Sequence, residues 1–241
     1  RYWIEPEIQA QIADKIASKQ GKKANITDWF YVPSWKRVPL VKTEEITSGC
    51  NLIFVNDCDI CSQIIQQLQE LKRDVITVQV GEKYNQIDSN IYTINPAEAD
   101  DYQNLLRELK KQDKTPKTII HLWSFSQSQT LSWQTTQNLG FYSLVYLAQA
   151  IAQQQISEEI QLLVIVNHLH DITGNEELYP EKTTISGACK VIPQEYQNIN
   201  CRLVDILLPI STSQLIDELT TKSEDAIIAY RHNYRWVQTF E

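Results

Sequence analysis

Leu52-Ile53-Phe54-Val55-Asn56-Asp57-Cys58-Asp59-Ile60-Cys61 is the stretch on which the fold turns. Four consecutive apolar residues suit a strand buried on both faces. The polar turn after them leads into a helix-like pattern from about Cys61 to Lys72, and a second strand is expected at Val75 to Val80. Strand, helix and strand in that order make a βαβ unit, whose crossover requires the two strands to run parallel.

Outward from this unit the alternation repeats. Ile91 to Ile94 reads as a short strand, Glu98 to Gln112 as a helix, Thr118 to Phe125 as a buried strand and Leu131 to Gln153 as a long helix. Ile160 to Val166 is the most apolar strand. A loop rich in Gly, Asn and Glu follows, then a helix at Ile185 to Tyr196, a strand at Cys201 to Ile206 and a helix at Ser213 to Thr221. Strands separated by helices of this length predict an α/β fold, a doubly wound, Rossmann-like parallel sheet with helices on both faces. The end of the chain differs. Ala226 to Tyr230 and Tyr234 to Phe240 are strand-like and flank only Arg231, His232 and Asn233, which is hairpin spacing. The hairpin is expected to pair with an edge strand at 29–36, where Trp-Phe-Tyr-Val favours extended chain and Pro33 cannot donate to a ladder. Before that strand, 5–20 reads as a helix with Ile8, Ile12 and Ile16 on one narrow face and Gly21 at its end. Residues 1–27 are therefore taken as a linker with an amphipathic helix, and 28–241 as one domain.

Composition narrows the function classes. A chain of 241 residues buries roughly 70 to 75% of its unfolded surface. With 42% hydrophobic and 22% charged residues it is a folded chain. The formal charge of −8 gives no drive toward nucleic acid or anionic lipid. No bilayer-length apolar run or signal-peptide core is present, and five cysteines form no dense framework, so a reducing cytoplasm is expected. The absence of methionine leads to the expectation that the chain belongs to something longer. The sequon at Asn25-Ile26-Thr27 reads as accidental in that compartment.

The turn at 56–61 occupies the place where a Rossmann domain cradles pyrophosphate on glycine amides, yet it contains no glycine and carries Asp57 and Asp59. Nucleotide binding there is disfavoured. Three readings of the turn stay open. Cys58-x-x-Cys61 at a helix start is the spacing of a dithiol with a lowered thiol pKa. Asp57 and Asp59 after a strand match the Asp-x-Asp turn of haloacid dehalogenase-type phosphatases, although Asn56 and Cys61 fit that pattern poorly. In the third, Asp59 simply caps the helix. Elsewhere His168 and His170, with Asp171 beside them, have strand spacing for a metal site without a third ligand, or open a solvent-facing loop. His121 reads as a satisfied core residue. The acidic pairs Glu44-Glu45, Asp100-Asp101 and Glu158-Glu159 read as surface or helix-start charge. No Gly-x-Ser-x-Gly elbow or Gly-x-x-x-x-Gly-Lys loop occurs.

Several separated segments carry a family likeness. Arg1-Tyr2-Trp3-Ile4-Glu5 is similar to the end of the linker after an acyltransferase domain, and Trp29-Phe30-Tyr31-Val32-Pro33-Ser34-Trp35-Lys36-Arg37 to the first strand of a ketoreductase. Ile119-Ile120-His121-Leu122-Trp123-Ser124 is similar to a later strand of the same region. Gly187-Ala188-Cys189-Lys190-Val191-Ile192-Pro193-Gln194-Glu195-Tyr196 resembles the helix that precedes Cys201-Arg202-Leu203-Val204-Asp205-Ile206. Over about its whole length the chain thus resembles the ketoreductase region of modular polyketide synthases, in particular its N-terminal structural subdomain.

The resemblance implies a truncated, degenerate Rossmann-like fold of the short-chain dehydrogenase/reductase type that braces a catalytic half expected after Glu241. NADPH belongs, on this view, to that other half. Its partners are the catalytic ketoreductase subdomain and neighbouring synthase domains, with no nucleic acid or membrane. Where a working reductase resembles Tyr-x-x-x-Lys, the matching stretch is Ser186-x-x-x-Lys190, which lacks the tyrosine acid. No catalytic, cofactor-binding or metal-binding residue is therefore expected. The competing expectation is an independent thiol-redox or phosphoryl-transfer enzyme that uses the 56–61 turn.

Overall fold

The computed structural model describes residues 26–41, 49–125 and 131–241. The helix expected over 5–20, with Ile8, Ile12 and Ile16, lies outside the described residues, as do Glu44-Glu45 and Asn25 of the sequon. The chain divides into two compact units, Arg1–Ser34 with Thr239–Glu241, and Trp35–Gln238. Among the described residues of the first, a 3-10 turn spans Ile26–Trp29, and Val32 and Glu241 exchange backbone hydrogen bonds of 2.8 and 3.0 Å.

The second unit carries most of a ten-stranded sheet. Its strands are β1 (Pro33–Arg37), β2 (Cys50–Val55), β3 (Asp74–Val80), β4 (Asn85–Asp88), β5 (Ile91–Ile94), β6 (Pro116–His121), β7 (Ile160–Val166), β8 (Ile199–Ile206), β9 (Ile227–Arg231) and β10 (Tyr234–Phe240). The helices are α1 (Asp59–Glu70), α2 (Ala99–Lys111), α3 (Trp133–Gln137), α4 (Ser143–Gln153), α5 (Thr184–Glu195) and α6 (Thr212–Thr220), with a π turn over Asn138–Tyr142 joining α3 to α4. Strand order is β1-β10-β9-β8-β7-β6-β2-β3-β5-β4. From β5 to β9 every pairing is parallel, and β4 and β10 add antiparallel strands at the two sides. The predicted α/β sheet is present, and the terminal hairpin lies beside β1 as expected. β1 starts four residues later than the expected strand at 29–36: Trp29 closes a 3-10 turn, and 30–32 are exposed and belong to no element. The short β4 was not expected. Its residues, Asn85-Gln86-Ile87-Asp88, are all exposed and carry no alternating apolar signal.

Period-two alternation sends neighbouring strand residues to opposite faces, and both faces are apolar. Leu52, Phe54, Ile119, Leu162, Val164 and Leu203 join a core closed by Tyr102, Leu105 and Leu109 of α2, Leu147 and Ile151 of α4, and Ile185 of α5. Ile53, Val55, Ile120, Leu163, Ile165 and Val204 join a second core under Ile60, Ile64 and Leu68 of α1 and Leu215 and Leu219 of α6. The π turn places Gly140 against α5 so tightly that a Cβ there would stand 2.9 Å from the Ile185 side chain.

Helix ends are set by backbone geometry rather than by glycine. Lys72, Asp113 and Gln155, just beyond α1, α2 and α4, take left-handed φ values of 56°, 58° and 52°. Each is followed by an N–H that reaches back into the last turn, Arg73 to Leu68 O at 2.9 Å, Lys114 to Leu109 O at 2.9 Å and Ile156 to Ile151 O at 3.3 Å.

Two polar groups sit deep inside this apolar frame. Glu218 of α6 is fully buried. Its carboxylate pairs with Arg202 of β8, accepts from Arg235 Nε of β10 at 2.7 Å and from the Tyr230 hydroxyl at 2.7 Å. Arg202 also donates to Thr221 O at 2.8 Å, and Arg235 to Asp225 at 2.8 Å. Two carboxylates therefore balance two guanidiniums. His121, expected to be a satisfied core residue, is only half so. Nε2 lies 2.8 Å from the Ser143 hydroxyl, while Nδ1 has no partner among the described residues. Ser143 spends its single proton on the carbonyls of Leu139 and Gly140 at 2.9 and 3.0 Å. The histidine proton consequently belongs on Nε2, and a second proton on Nδ1 would be buried without an acceptor. Burial pulls this imidazole from 6.5 down to about 3.

Replacing Glu218 by Gln leaves buried Arg202 without a carboxylate and Arg235 with Asp225 alone, and the expected loss is about 3 to 5 kcal/mol in urea denaturation; a loss below about 1 kcal/mol contradicts the balanced arrangement. For His121 the unfolded chain takes up a proton near 6.5 and the folded chain only near 3. The stability it contributes is complete above that window and is lost as pH falls through it, at up to about 1.4 kcal/mol per pH unit. His121→Asn should flatten that part of the stability profile.

Candidate functional site

At β2 and β6 the strand order reverses, so the segments leaving their C-terminal ends part company. In an open α/β sheet this is the crevice where ligands bind. Here side chains from both segments close its described part. The Asn56 amide donates to the carbonyl of Leu122, at 3.3 Å, and to that of Phe125. Trp123, 1% exposed, donates from Nε1 to Val55 O at 3.0 Å. Its ring packs against Phe54 at 5.0 Å and His121 at 5.6 Å. The expected strand 118–125 stops at His121, since Leu122 to Phe125 turn to deliver this plug.

The turn itself puts Cys58 at the N-cap of α1 in extended conformation, with no side-chain cap. Asp59 is the first helical residue, so the expected Asp59 cap is corrected to first-turn charge opposite the helix dipole. The Cys58 and Cys61 sulfurs lie 2.7 Å apart, and the Cys61 thiol donates to Asn56 Oδ1 at 3.0 Å. The hydrogen bond between the two sulfurs lowers the Cys58 thiol to about 7, helped by the Cys61 and Ile60 amides against burial and Asp59. Its partner moves the opposite way. Cys61 is pushed up by the same hydrogen bond and by burial.

Beside the turn a cavity of about 520 Å³ is lined by Asn56, Asp57, Cys61, Ser62, Gln79 and Val80. It is large enough for a nucleoside, but the residues do not fit a dinucleotide. The pyrophosphate position offers the Asn56, Asp57 and Cys58 side chains where close approach of backbone requires glycine, and the Asp57 carboxylate repels phosphate.

The other sequence candidates are not brought together. His168, at φ 59°, stacks on Tyr179 at 4.4 Å and lies 3.0 Å from Glu177 O. His170 sits instead 3.1 Å from Asp205 Oδ2, with its ring edge against Trp35 at 5.1 Å. Asp171 is engaged with the Gly174 amide at 2.8 Å. Among the described residues no group of three His, Cys, Asp or Glu can hold a metal. Ser186 and Lys190 both lie on α5, with Lys190 exposed. Asp100 and Asp101 occupy the first turn of α2, where Asp101 accepts from the Asn95 amide at 2.8 Å, and Glu158-Glu159 is exposed.

Sequence reasoning missed three features. One is the Asn56–Trp123 closure, whose only signal is a tryptophan just past a buried strand. A second is buried Lys182, which donates to Asn167 Oδ1 at 2.6 Å and is drawn down to about 8 by burial, against Asp205 and Glu181. The third is an apolar groove of about 270 Å³ lined by Phe141, Val145 and Ala148 on one side and Gly187, Val191 and Tyr196 on the other.

Three solved structures share this fold. One contains the adenylation, ketoreductase and pseudo-Asub domains of a keto acid-selecting NRPS module, with a TM-score of 0.81, 22% identity, 99% of this chain covered and 20% of that one. An N-terminal ketoreductase from the macrolactin assembly line gives 0.70 at 17% identity, covering 96% of this chain and 51% of the other. A short-chain dehydrogenase/reductase family oxidoreductase from Brucella ovis, in complex with partially ordered NAD, gives 0.58 at 9% identity over 77% of this chain and all of that one. The chain thus spans about half, or less, of the first two of these structures. The ketoreductase-like, Rossmann-like fold read from short motifs is borne out. No curated protein sequence matches the chain. The model of the beta-ketoacyl synthase-like, N-terminal family matches residues 49–223, and the chain belongs to that family.

Proposed function

We propose that residues 28–241 form a non-catalytic structural subdomain that braces the NADPH-dependent β-ketoacyl reductase of a modular polyketide synthase, with 1–27 as its linker. The observation that supports this reading is the turn at 56–61, which lacks glycine, carries Asp57 and is tied by Asn56 and Trp123 to the segment after β6. On this reading NADPH, the catalytic tyrosine and the reduced ketone all belong to a reductase half outside this chain. The assembly works in the cytoplasm, away from membrane and nucleic acid, and among the described residues no helix is long and apolar enough to cross a membrane.

The groove between α4 and α5 supplies a bracing surface, with Val191 50% exposed beside Phe141 and Tyr196. Desolvating such a patch against another α/β half contributes roughly 25 cal/mol per Å² of apolar area. A nonribosomal peptide synthetase host is the second reading, favoured by the keto acid-selecting module whose structure covers 99% of this chain. The coding sequence upstream separates the two, an acyltransferase domain in one case and an adenylation domain in the other.

Titration calorimetry with NADPH should give no micromolar binding, and micromolar affinity together with reduction of a model ketone would overturn the assignment. Val191→Asp should leave the unfolding midpoint nearly unchanged while weakening association with a ketoreductase catalytic half supplied in trans by at least about tenfold. Undiminished association would remove the groove from the interface.

A further inference from the structure

Cys58 and Cys61 have a geometry that the bracing role does not use. Cys58 ends the turn in extended conformation at the N-cap, and Cys61 stands one helical turn further on. Their sulfurs meet at 2.7 Å, well under an ångström beyond a disulfide bond of roughly 2 Å. Cys58 is partly exposed while Cys61 is buried behind it, lining the cavity with Asn56 and Asp57. The other three cysteines, Cys50, Cys189 and Cys201, are buried. One accessible sulfur backed by one sheltered sulfur is the arrangement that thiol–disulfide exchange needs.

We propose that Cys58 and Cys61 form a reversible dithiol/disulfide site that exchanges with low-molecular-weight disulfides, Cys58 attacking and Cys61 resolving. The Cys58 thiolate attacks one sulfur of a disulfide RSSR, forms Cys58–S–S–R and expels RS⁻. Cys61 then attacks the Cys58 sulfur, closes the protein disulfide and expels the second RS⁻, while its own proton leaves with the departing thiolate. The protein loses two electrons and RSSR becomes two RSH. Backbone amides of Ile60 and Cys61 stabilise the thiolate, whereas burial holds Cys50 up to about 12, and the hydrogen bond with Cys201 together with burial raises Cys189, so neither competes.

Oxidation has a structural consequence. In the reduced pair the Cys61 thiol donates to Asn56 Oδ1, and the same Asn56 side chain holds Leu122 and Phe125 through its amide. A disulfide removes that donor, so the site couples redox state to the closure of the crevice. The proposal stands independently of the bracing role.

The test uses glutathione disulfide as probe, with acid quench, alkylation and peptide mass spectrometry. The wild-type protein should yield a Cys58–Cys61 linked peptide that dithiothreitol reverses. Cys61→Ser should accumulate glutathione on Cys58, while Cys58→Ser should take up glutathione at Cys61 at least about tenfold more slowly. Wild-type Cys58 and Cys61 both still alkylated after prolonged excess glutathione disulfide would overturn the proposal without any variant having to fold. Equal uptake at Cys61 in Cys58→Ser would overturn the assignment of the attacking sulfur.

Discussion

Reversal of strand order between β2 and β6 is the constraint from which the site follows. Two crossovers leave adjacent parallel strands in opposite directions, so a gap opens at their C-terminal ends whatever the sequence. In a dinucleotide-binding domain the ligand fills it. In this chain the gap receives an indole and an amide, and each makes a hydrogen bond to the opposite segment's backbone. The Trp123 N–H is thereby satisfied within the core it shares with Phe54 and Tyr102, and the turn beside it carries Asp57, Cys58 and Cys61.

The parallel core was legible because it obeys one rule. Strands buried on both faces are apolar runs, and Ile160–Val166 matches the observed strand to the residue; Ile91–Ile94 matches as well, although only Tyr92 and Ile94 are buried. Helix ends were less legible for a physical reason. α1, α2 and α4 stop at lysine, aspartate and glutamine in left-handed conformation, where the usual sequence marker is glycine. The expected ends therefore ran on by one or two residues for the first two. β4, wholly exposed, has no burial pattern to read.

The site was legible in its turn and illegible in its closure. Spacing alone placed Cys58 and Cys61 one turn apart, and local geometry brings them together. Asn56 and Trp123 meet partners 66 and 68 residues away, a relation that only the strand order creates. His168 and His170 show the converse. Their alternation suggests a shared direction, but the left-handed backbone at His168 breaks the strand geometry on which that inference depends.

The charged cluster beneath α6 also polices how the hairpin pairs. Arg235 stands opposite Tyr230 in the antiparallel ladder, and both side chains reach the same carboxylate. Slipping β10 by a single position would swing Arg235 to the opposite side of the sheet and leave Glu218 with only Arg202 and Tyr230 to answer it. Breaking a buried ion pair costs about 3 to 5 kcal/mol, so the buried glutamate acts as a proofreading key for assembly of that edge.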